Sequence, residues 1–239
     1  MDRRGPALVV APLKEEADLV CRRLGERGFP SHPAQFGALT CSVVPPLDLI
    51  IGVGGVGKAQ FALQAQHLLD RCRDVTLLIC VGGAGQLSPG VTVGDVIVGT
   101  RTIEHDYRER FNPRPSPSYQ SDPAVLTALE HAPADRAFDF RVHFGPIASG
   151  DEDVVNTTRR AQLHTETDAL CVAWEGSGAA RAARFNGVGF VEIRVVTDAA
   201  DETAAKSFHP NLARVMPHIA DLLVAWRSAL SERGEPLRL

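Results

Sequence analysis

Acidic side chains follow several apolar stretches of this sequence at the point where each stretch ends. Glu16, Glu175 and Asp198 each lie within a few residues of such an end. Two carboxyl groups held near one another can act as general acid and general base when their surroundings set their pKa values apart. Taken singly, these residues have ordinary explanations as first-turn acids, helix caps or surface charges. They predict chemistry only if the fold brings the stretch ends together.

The elements that must position these acids are short apolar runs that alternate with helical patterns. The runs predict strands at 7–11, 39–44, 48–52, 75–81, 93–100, 142–149, 169–173 and 188–197, and the patterns predict helices at 15–28, 58–71, 123–131, 154–164, 176–185 and 211–232. The alternation predicts a three-layer α/β/α fold with a central mixed, mostly parallel sheet. In such folds ligands bind at the carboxyl ends of the strands. The proline-rich stretch 108–123 is expected to be a loop.

Composition favours one domain over residues 1–239, because 239 residues with 44% hydrophobic content can bury a sizeable core. The net charge of -4, from 29 acidic and 25 basic residues, provides no general basic field for nucleic acid or an anionic membrane. The first residues lack the features of a signal peptide, and no apolar segment is long enough to cross a bilayer. We expect a cytoplasmic protein whose partner is a small molecule.

The cysteines and histidines do not suggest a metal site. The five cysteines are widely spread and are expected to be buried free thiols. Neither C-x-x-C nor H-E-x-x-H occurs, although the chain has eight histidines. We therefore predict no metal and no cofactor.

A glycine-rich segment at residues 52–57 formally matches the dinucleotide pattern G-x-G-x-x-G, and with Lys58 it also matches G-x-x-x-x-G-K. The first pattern lacks its acid at the end of the next strand, and the second has Ala59 where magnesium binding needs a hydroxyl. A tight strand-to-helix turn is the favoured interpretation. Its backbone amides could still face a ligand.

Four segments together resemble the methylthioadenosine/S-adenosylhomocysteine nucleosidases and, more distantly, the purine and uridine nucleoside phosphorylases. They are Lys14-Glu15-Glu16-Ala17, Ser149-Gly150-Asp151, Trp174-Glu175 and the run from Arg194 to Asp201. The resemblance covers most of the chain and is weakest at residues 25–40 and 105–140. It implies a nucleoside phosphorylase-like fold, a homodimer and cleavage of an N-glycosidic bond.

The resemblance also implies a role for each matched residue. Cleaving a purine from ribose gives an oxocarbenium-like transition state, so a proton donor must face the departing base. Asp198 would supply or share a proton at purine N7, which requires burial to raise its pKa. Glu16, ionised, would deprotonate the attacking water. Glu175 would accept hydrogen bonds from ribose hydroxyls, with Arg194 near the water and the 2′ side.

The choice between water and phosphate as nucleophile depends on the strand-turn at residues 79–85. Cys80 stands where the hexameric phosphorylases carry an arginine, and Gly83 stands where they carry a serine. Glu15 and Glu16 would also repel phosphate. Hydrolysis is favoured, and phosphorolysis stays open because glycine amides could bind an anion.

Several positions around the expected substrate depart from the family pattern. Asp153 and Val154 follow the Ser-Gly-Asp segment where nucleosidases carry an aromatic residue that stacks on adenine. Trp174 replaces a methionine and could stack from another direction. Gly83 replaces a serine that helps to hold the water, and Phe208 falls at the aromatic residue near the 5′ side of the sugar.

We therefore expect a nucleosidase that hydrolyses methylthioadenosine, S-adenosylhomocysteine or a related 5′-substituted purine nucleoside. The alternatives are a phosphate-dependent purine nucleoside phosphorylase, a futalosine hydrolase, or a catalytically weakened nucleoside-binding protein on the same fold. The predicted catalytic residues are Glu16 and Asp198. The predicted substrate contacts are Glu175, Arg194, Trp174, Gly83, Asp153, Val154 and Phe208.

Overall fold

The computed structural model describes residues 5–132 and 138–232. The strands are β1 Ala7–Ala11, β2 His32–Phe36, β3 Leu39–Val44, β4 Leu49–Val53, β5 Leu77–Gln86, β6 Val96–Glu104, β7 Ser118–Gln120, β8 Val142–Ser149, β9 Cys171–Ala173 and β10 Gly189–Asp198. The helices are α1 Lys14–Glu26, α2 Lys58–Arg71, α3 Pro123–His131, α4 Thr157–Thr167, α5 Gly176–Asn186, α6 Ala204–Val215 and α7 Pro217–Glu232. Within these two ranges, no helix has the length and apolar character needed to span a membrane.

The strands form one mixed sheet in the order β10-β6-β8-β9-β5-β1-β4-β3-β2, with β7 beside β6. β10 also pairs with β5, so β5, β9, β8, β6 and β10 close into a ring. The expected parallel character holds for the run β4-β1-β5-β10. Across the described strands as a whole it does not hold, because the pairs β10–β6, β2–β3, β3–β4, β5–β9 and β6–β7 are antiparallel.

Strand β1 shows how the chain buries both faces of the sheet. Its side chains alternate, so Ala7, Val9 and Ala11 pack in one apolar cluster with α1 and α7. Leu8 and Val10 point the other way and pack with α2 and α5. Because both faces are covered, the strand is apolar at every position rather than at every second one.

The parallel register of the central strands places their carboxyl ends at one edge. β1 pairs with β5 through Val10 and Cys80, and β10 pairs with β5 as far as Asp198 and Gly85. Helix α1 begins three residues after β1 at Lys14, and α5 begins three residues after β9 at Gly176. Parallel pairing brings the residues that follow β1 and β10 to the same edge of the sheet as the end of β5. Strand β9 runs antiparallel to β5 and reaches this edge because it pairs with the last residues of β5, Gly85 and Gln86.

The structure corrects three details of the sequence interpretation. The helix predicted at 211–232 is two helices, because Pro217 starts a new one, and the first begins earlier and continues through Pro210. Pro210 is exposed, so the carbonyl group that loses its partner can bond to water. The stretch 108–123 contains β7, which pairs with β6 near Thr102. The exposed strand β2 was not predicted.

Candidate active site

A cavity of about 420 Å³ opens where β1, β5, β9 and β10 end and where α1 and α6 begin. All nine residues singled out in the sequence line it: Glu16, Gly83, Asp153, Val154, Trp174, Glu175, Arg194, Asp198 and Phe208. These residues come from six separate parts of the chain. The fold therefore gathers the predicted acid pair and the predicted substrate contacts around one space.

Glu16 lies in the first turn of α1 and is only 2% exposed. Its Oε1 accepts a hydrogen bond from the Gly83 N–H at 2.8 Å, and its Oε2 accepts one from the Leu13 N–H at 3.0 Å. Burial raises the pKa of Glu16 to about 7, against the lowering effect of these two amides and of Arg194. A carboxyl group with a pKa near neutrality can accept a proton and release it again, as a general base must.

Asp198 ends β10 and is 7% exposed. Its Oδ1 accepts a hydrogen bond from the Ala200 N–H at 2.9 Å, and its Oδ2 accepts one from the Thr197 hydroxyl at 2.8 Å. Burial raises the pKa of Asp198, and the charges of Asp201 and Asp153 raise it further. Ala200 adopts a left-handed φ of 47°, which costs roughly 1 kcal/mol and turns its amide back onto the carboxylate.

Glu175 is buried at the start of α5 and is held from two sides. The Gly57 N–H donates to its Oε1 at 3.3 Å, and the Arg194 Nη2 donates to its Oε2 at 3.2 Å. Arg194 is itself 1% exposed, and its Nε donates to Glu192 at 2.8 Å. The arginine thus lines the cavity with its positive charge already matched by two carboxylates.

The other predicted contacts give the cavity an apolar wall with one additional acid. Val154 is buried, while Trp174 and Phe208 are half-buried. Asp153 is exposed at the same cavity. An indole and a phenyl ring beside a carboxylate can hold a flat heterocycle that carries N–H donors.

Gly83 contributes its backbone rather than a side chain. A Cβ at this position would lie 2.9 Å from the Thr197 methyl group and 3.2 Å from the Phe208 ring, so a serine would force a shift. Any side chain at position 83 would therefore have to displace the Thr197 methyl group. Residue 83 therefore acts on the site through the amide that it donates to Glu16.

The glycine-rich turn before α2 directs its amides to carboxylates. Gly57 has a left-handed φ of 86° and donates to Glu175, while the Lys58 N–H donates to Asp151 at 2.8 Å. The Lys58 ammonium group lies 3.0 Å from Glu104. The Gly57 amide thus helps to fix Glu175 in place, and the positive φ of Gly57 agrees with the tight-turn interpretation.

In the two described ranges, no cluster of three or more histidine, cysteine or acidic side chains is placed to hold a metal ion.

Sequence reasoning missed other residues of this region. Glu152 and His209 also line the cavity, and Glu192 is fully buried directly behind Arg194. A signal for Glu192 existed, because Glu192 and Arg194 are two positions apart in an otherwise apolar strand. Such residues share one face of the strand, and buried charges are almost always paired.

Comparison with known sequences gives the family of the chain. Residues 6–226 match the model of the phosphorylase superfamily. A 5′-methylthioadenosine/S-adenosylhomocysteine nucleosidase of Exiguobacterium sp. is 27% identical over 232 residues, which cover 94% of this chain and 98% of the relative. The nucleosidase of the same name from Baumannia cicadellinicola is 31% identical over 182 residues, which cover 73% and 79%.

Solved structures give the same fold. The 5′-methylthioadenosine/S-adenosylhomocysteine nucleosidase of S. pneumoniae with a transition-state inhibitor superposes with a TM-score of 0.83 at 23% identity, covering 94% of this chain and 99% of that one. The futalosine hydrolase of Helicobacter pylori superposes with a TM-score of 0.81 at 21% identity, covering 94% and 97%. The family match over residues 6–226 and the shared fold lead to one conclusion: this chain belongs to the phosphorylase superfamily.

Proposed function

We propose that this protein is a nucleosidase that hydrolyses the N-glycosidic bond of a purine nucleoside, giving the free base and the free sugar. The substrate class is methylthioadenosine, S-adenosylhomocysteine or a related 5′-substituted nucleoside. The proposal rests chiefly on one observation: Glu16 and Asp198 line the same cavity, and burial raises the pKa of both.

The two carboxyl groups have complementary tasks in this reaction. Asp198 in its acid form donates a proton to N7 of the purine, so the base leaves as a neutral molecule when the C1′–N9 bond breaks. Glu16 in its ionised form removes a proton from water, whose oxygen then bonds to C1′. Glu175 accepts hydrogen bonds from the ribose hydroxyls with the lone pairs that Gly57 and Arg194 leave unused. The acidic cavity also favours the positive charge that grows on the sugar.

Water is a better nucleophile than phosphate for this cavity. Its lining contains five carboxyl groups: Glu16, Glu152, Asp153, Glu175 and Asp198. The basic side chains of the lining are those of Arg194 and His209. Because Arg194 already contacts Glu175 and Glu192, little positive charge is left to bind a phosphate dianion.

The purine half of the proposal is supported by the relatives rather than by the base-binding contacts. The curated relatives from Exiguobacterium sp. and Baumannia cicadellinicola carry the name 5′-methylthioadenosine/S-adenosylhomocysteine nucleosidase. Among the positions where this chain departs from the pattern of that family, we propose that Asp153 and Trp174 set the preferred base.

We also propose the domain organisation, the cytoplasmic location and the oligomeric state that the sequence predicts. Residues 1–239 would form one domain, and helices packed on both faces of β1 support a three-layer α/β/α arrangement around the central strands. The five cysteines are free thiols, which suits the reducing cytoplasm. A homodimer is proposed from the family resemblance.

The test is to incubate the purified protein with methylthioadenosine, S-adenosylhomocysteine, adenosine, inosine and futalosine, each with and without inorganic phosphate. Chromatography would follow the free base and distinguish ribose products from their 1-phosphates. We expect base release at the same rate in both conditions, and a sugar product without phosphate.

Base release that requires phosphate, with a sugar 1-phosphate as product, would assign the protein to the phosphorylases instead. Binding of a nucleoside without release of any base would favour the nucleoside-binding protein. For variants in which Glu16 or Asp198 is replaced by its amide, the matched control is Glu202→Gln, which alters an exposed carboxylate on the turn before α6 that is absent from the cavity lining.

A further inference from the structure

The Glu192 side chain lies in an enclosed socket, which is formed by Arg194, Thr102 and Gly176. Its side chain is 0% exposed on β10. One oxygen accepts a hydrogen bond from the Arg194 Nε at 2.8 Å, and the other accepts one from the Thr102 hydroxyl. The start of α5 leaves room for it only because residue 176 is glycine, since a Cβ there would overlap the Glu192 carboxylate.

Arg194 connects this socket with the cavity. The Nε edge of its guanidinium group faces Glu192, while Nη2 lies 3.2 Å from Glu175 and 3.3 Å from the Cys80 sulfur. A guanidinium group is planar, so a partner on one edge fixes the direction of the other edge. The orientation of Glu175 therefore depends on a residue that is not in the cavity lining.

We infer that Glu192 is a positioning residue: it fixes and neutralises Arg194 from behind, so that Arg194 holds Glu175 toward the sugar without making the cavity positive. A buried arginine with a single carboxylate partner would leave part of its charge to act on the acids around it. The kinetic consequences of this role rest on the proposed function. The arrangement of Glu192, Arg194 and Glu175 does not depend on that function.

Glu16 is a further cavity acid on which the charge of Arg194 acts. Arg194 lowers the pKa of Glu16 and Glu175 raises it, whereas the main cause of its elevation is burial. The other titratable groups around Arg194 are the thiols of Cys80 on β5 and Cys171 on β9, and burial raises the pKa of both. These thiols stay neutral, so Glu192 is the charge that offsets Arg194 on the side away from the cavity.

Two variants separate the effect of the charge of Glu192 from the effect of its side-chain length. Glu192→Gln keeps the shape and removes the charge, so Arg194 acts more strongly on Glu16 and the pKa of Glu16 falls. Glu192→Asp keeps the charge but is too short to contact both Arg194 and Thr102, so Glu175 loses its fixed position. Asp221→Asn is the matched control, because it removes a buried ion-paired carboxylate between α1 and α7.

The measurements are a carbon-13 titration of the Glu16 carboxyl group, the pH dependence of kcat/KM, and thermal unfolding. For Glu192→Gln we expect the Glu16 midpoint and the acid limb of kcat/KM to move down by about half a pH unit or more. For Glu192→Asp we expect KM to rise about tenfold with the Glu16 midpoint unchanged. Asp221→Asn should lower the unfolding temperature and leave both midpoint and KM as in the wild type.

An unchanged Glu16 midpoint in folded Glu192→Gln, or an unchanged KM in Glu192→Asp, would overturn the inference and leave Glu192 a purely structural residue. The titration needs no turnover. If the wild type released no base from any nucleoside while the midpoint still moved, the proposed function would fail and the positioning role would stand.

Discussion

A buried carboxyl group lies at each end of helix α1, and the two groups are in opposite electrostatic conditions. At the start of the helix, Glu16 contacts backbone amides, and burial raises its pKa to about 7. At its end, Asp221 of α7 lies 2.9 Å from Arg23 and 2.7 Å from Arg27. Burial acts to raise the pKa of Asp221, but its hydrogen bonds to the two arginines outweigh burial and hold that pKa below its usual value.

This difference has opposite consequences for stability. Glu16 binds its proton more tightly in the folded chain, so folding stability falls as pH rises from about 4.5 through about 7. Asp221 binds its proton less tightly in the folded chain, so its stabilising contribution is present above the unfolded pKa and is lost as pH falls through the folded pKa. At pH 8 the buried carboxylate of Glu16 therefore opposes folding, and the ion-paired carboxylate of Asp221 favours it. We infer that the cavity acids are kept for reactivity at a cost in stability.

The largest effect that would test this contrast is expected from Asp198→Asn. The asparagine cannot donate an acidic proton to the departing base, so kcat should fall by about 10³-fold. Because burial raises the pKa of Asp198, removing its charge should not lower the free energy of unfolding at pH 7. Steady-state kinetics and urea unfolding would check the two parts. A variant that kept normal turnover would remove Asp198 from the mechanism.

Glu16→Gln should change the stability of the protein in a pH-dependent way while it reduces turnover. A pKa raised from 4.5 to about 7 corresponds to at most about 3 kcal/mol of opposition to folding above pH 7. In the variant the side-chain NH2 group faces one of the two backbone N–H donors of Leu13 and Gly83, which costs roughly 1–3 kcal/mol at any pH. We expect urea unfolding to show the stability of the variant relative to the wild type increasing by about 2–3 kcal/mol from pH 4 to pH 8. An equal difference at both pH values would contradict the assigned cause.

Asp221→Asn should make the protein less stable at neutral pH. Its carboxylate is buried but its partners Arg23 and Arg27 are 31% and 48% exposed, so the expected loss is about 1–2 kcal/mol at pH 7 rather than the larger cost of a fully buried pair. The loss should shrink in acid below about pH 4, as the wild-type carboxylate is protonated. Turnover should stay at the wild-type level; a change in kcat would mean that α1 transmits this ion pair to Glu16.

Trp174→Ala should give the smallest effect, because the apolar wall contributes no charge. Losing the contact of an indole with a flat base should raise KM by about tenfold and change kcat little. The matched control is Phe185→Ala, which removes an aromatic side chain that is 82% exposed on α5. Equal KM values in the two variants would show that Trp174 does not contact the substrate.

Local sequence signals predicted most of the fold. Helix α3 begins at the predicted Pro123, where proline suits the first helical position and the Asp122 side chain caps the free amides. Helix α2 also has its predicted bounds. The strands β2 and β7 escaped prediction because one is exposed and contains Pro33, and the other has three residues. The closing of the ring depends on pairing between distant strands, which no local pattern encodes.

The sequence predicted which residues share one cavity, but not how they contact one another. Matched segments indicated which residues belong together, and all nine line the cavity. The sequence could not show that Arg194 is divided between Glu175 and Glu192, because this depends on how α5 crosses β10 at Gly176. Nor could it show that a side chain at residue 83 would crowd Thr197.

The pairing of β10 with β5 also has a consequence for how the protein acquires its activity. Gly189 pairs with Leu77, and Asp198 comes opposite Gly85, so the two acids that we propose as catalytic meet only after strands far apart in the chain have joined. Pairings of high sequence separation form slowly because the loop entropy must be overcome first. A folding intermediate without β10 would contain Glu16 but lack Asp198, Arg194 and the Glu192 socket. We therefore expect activity to appear late in refolding, after most of the helical signal has returned.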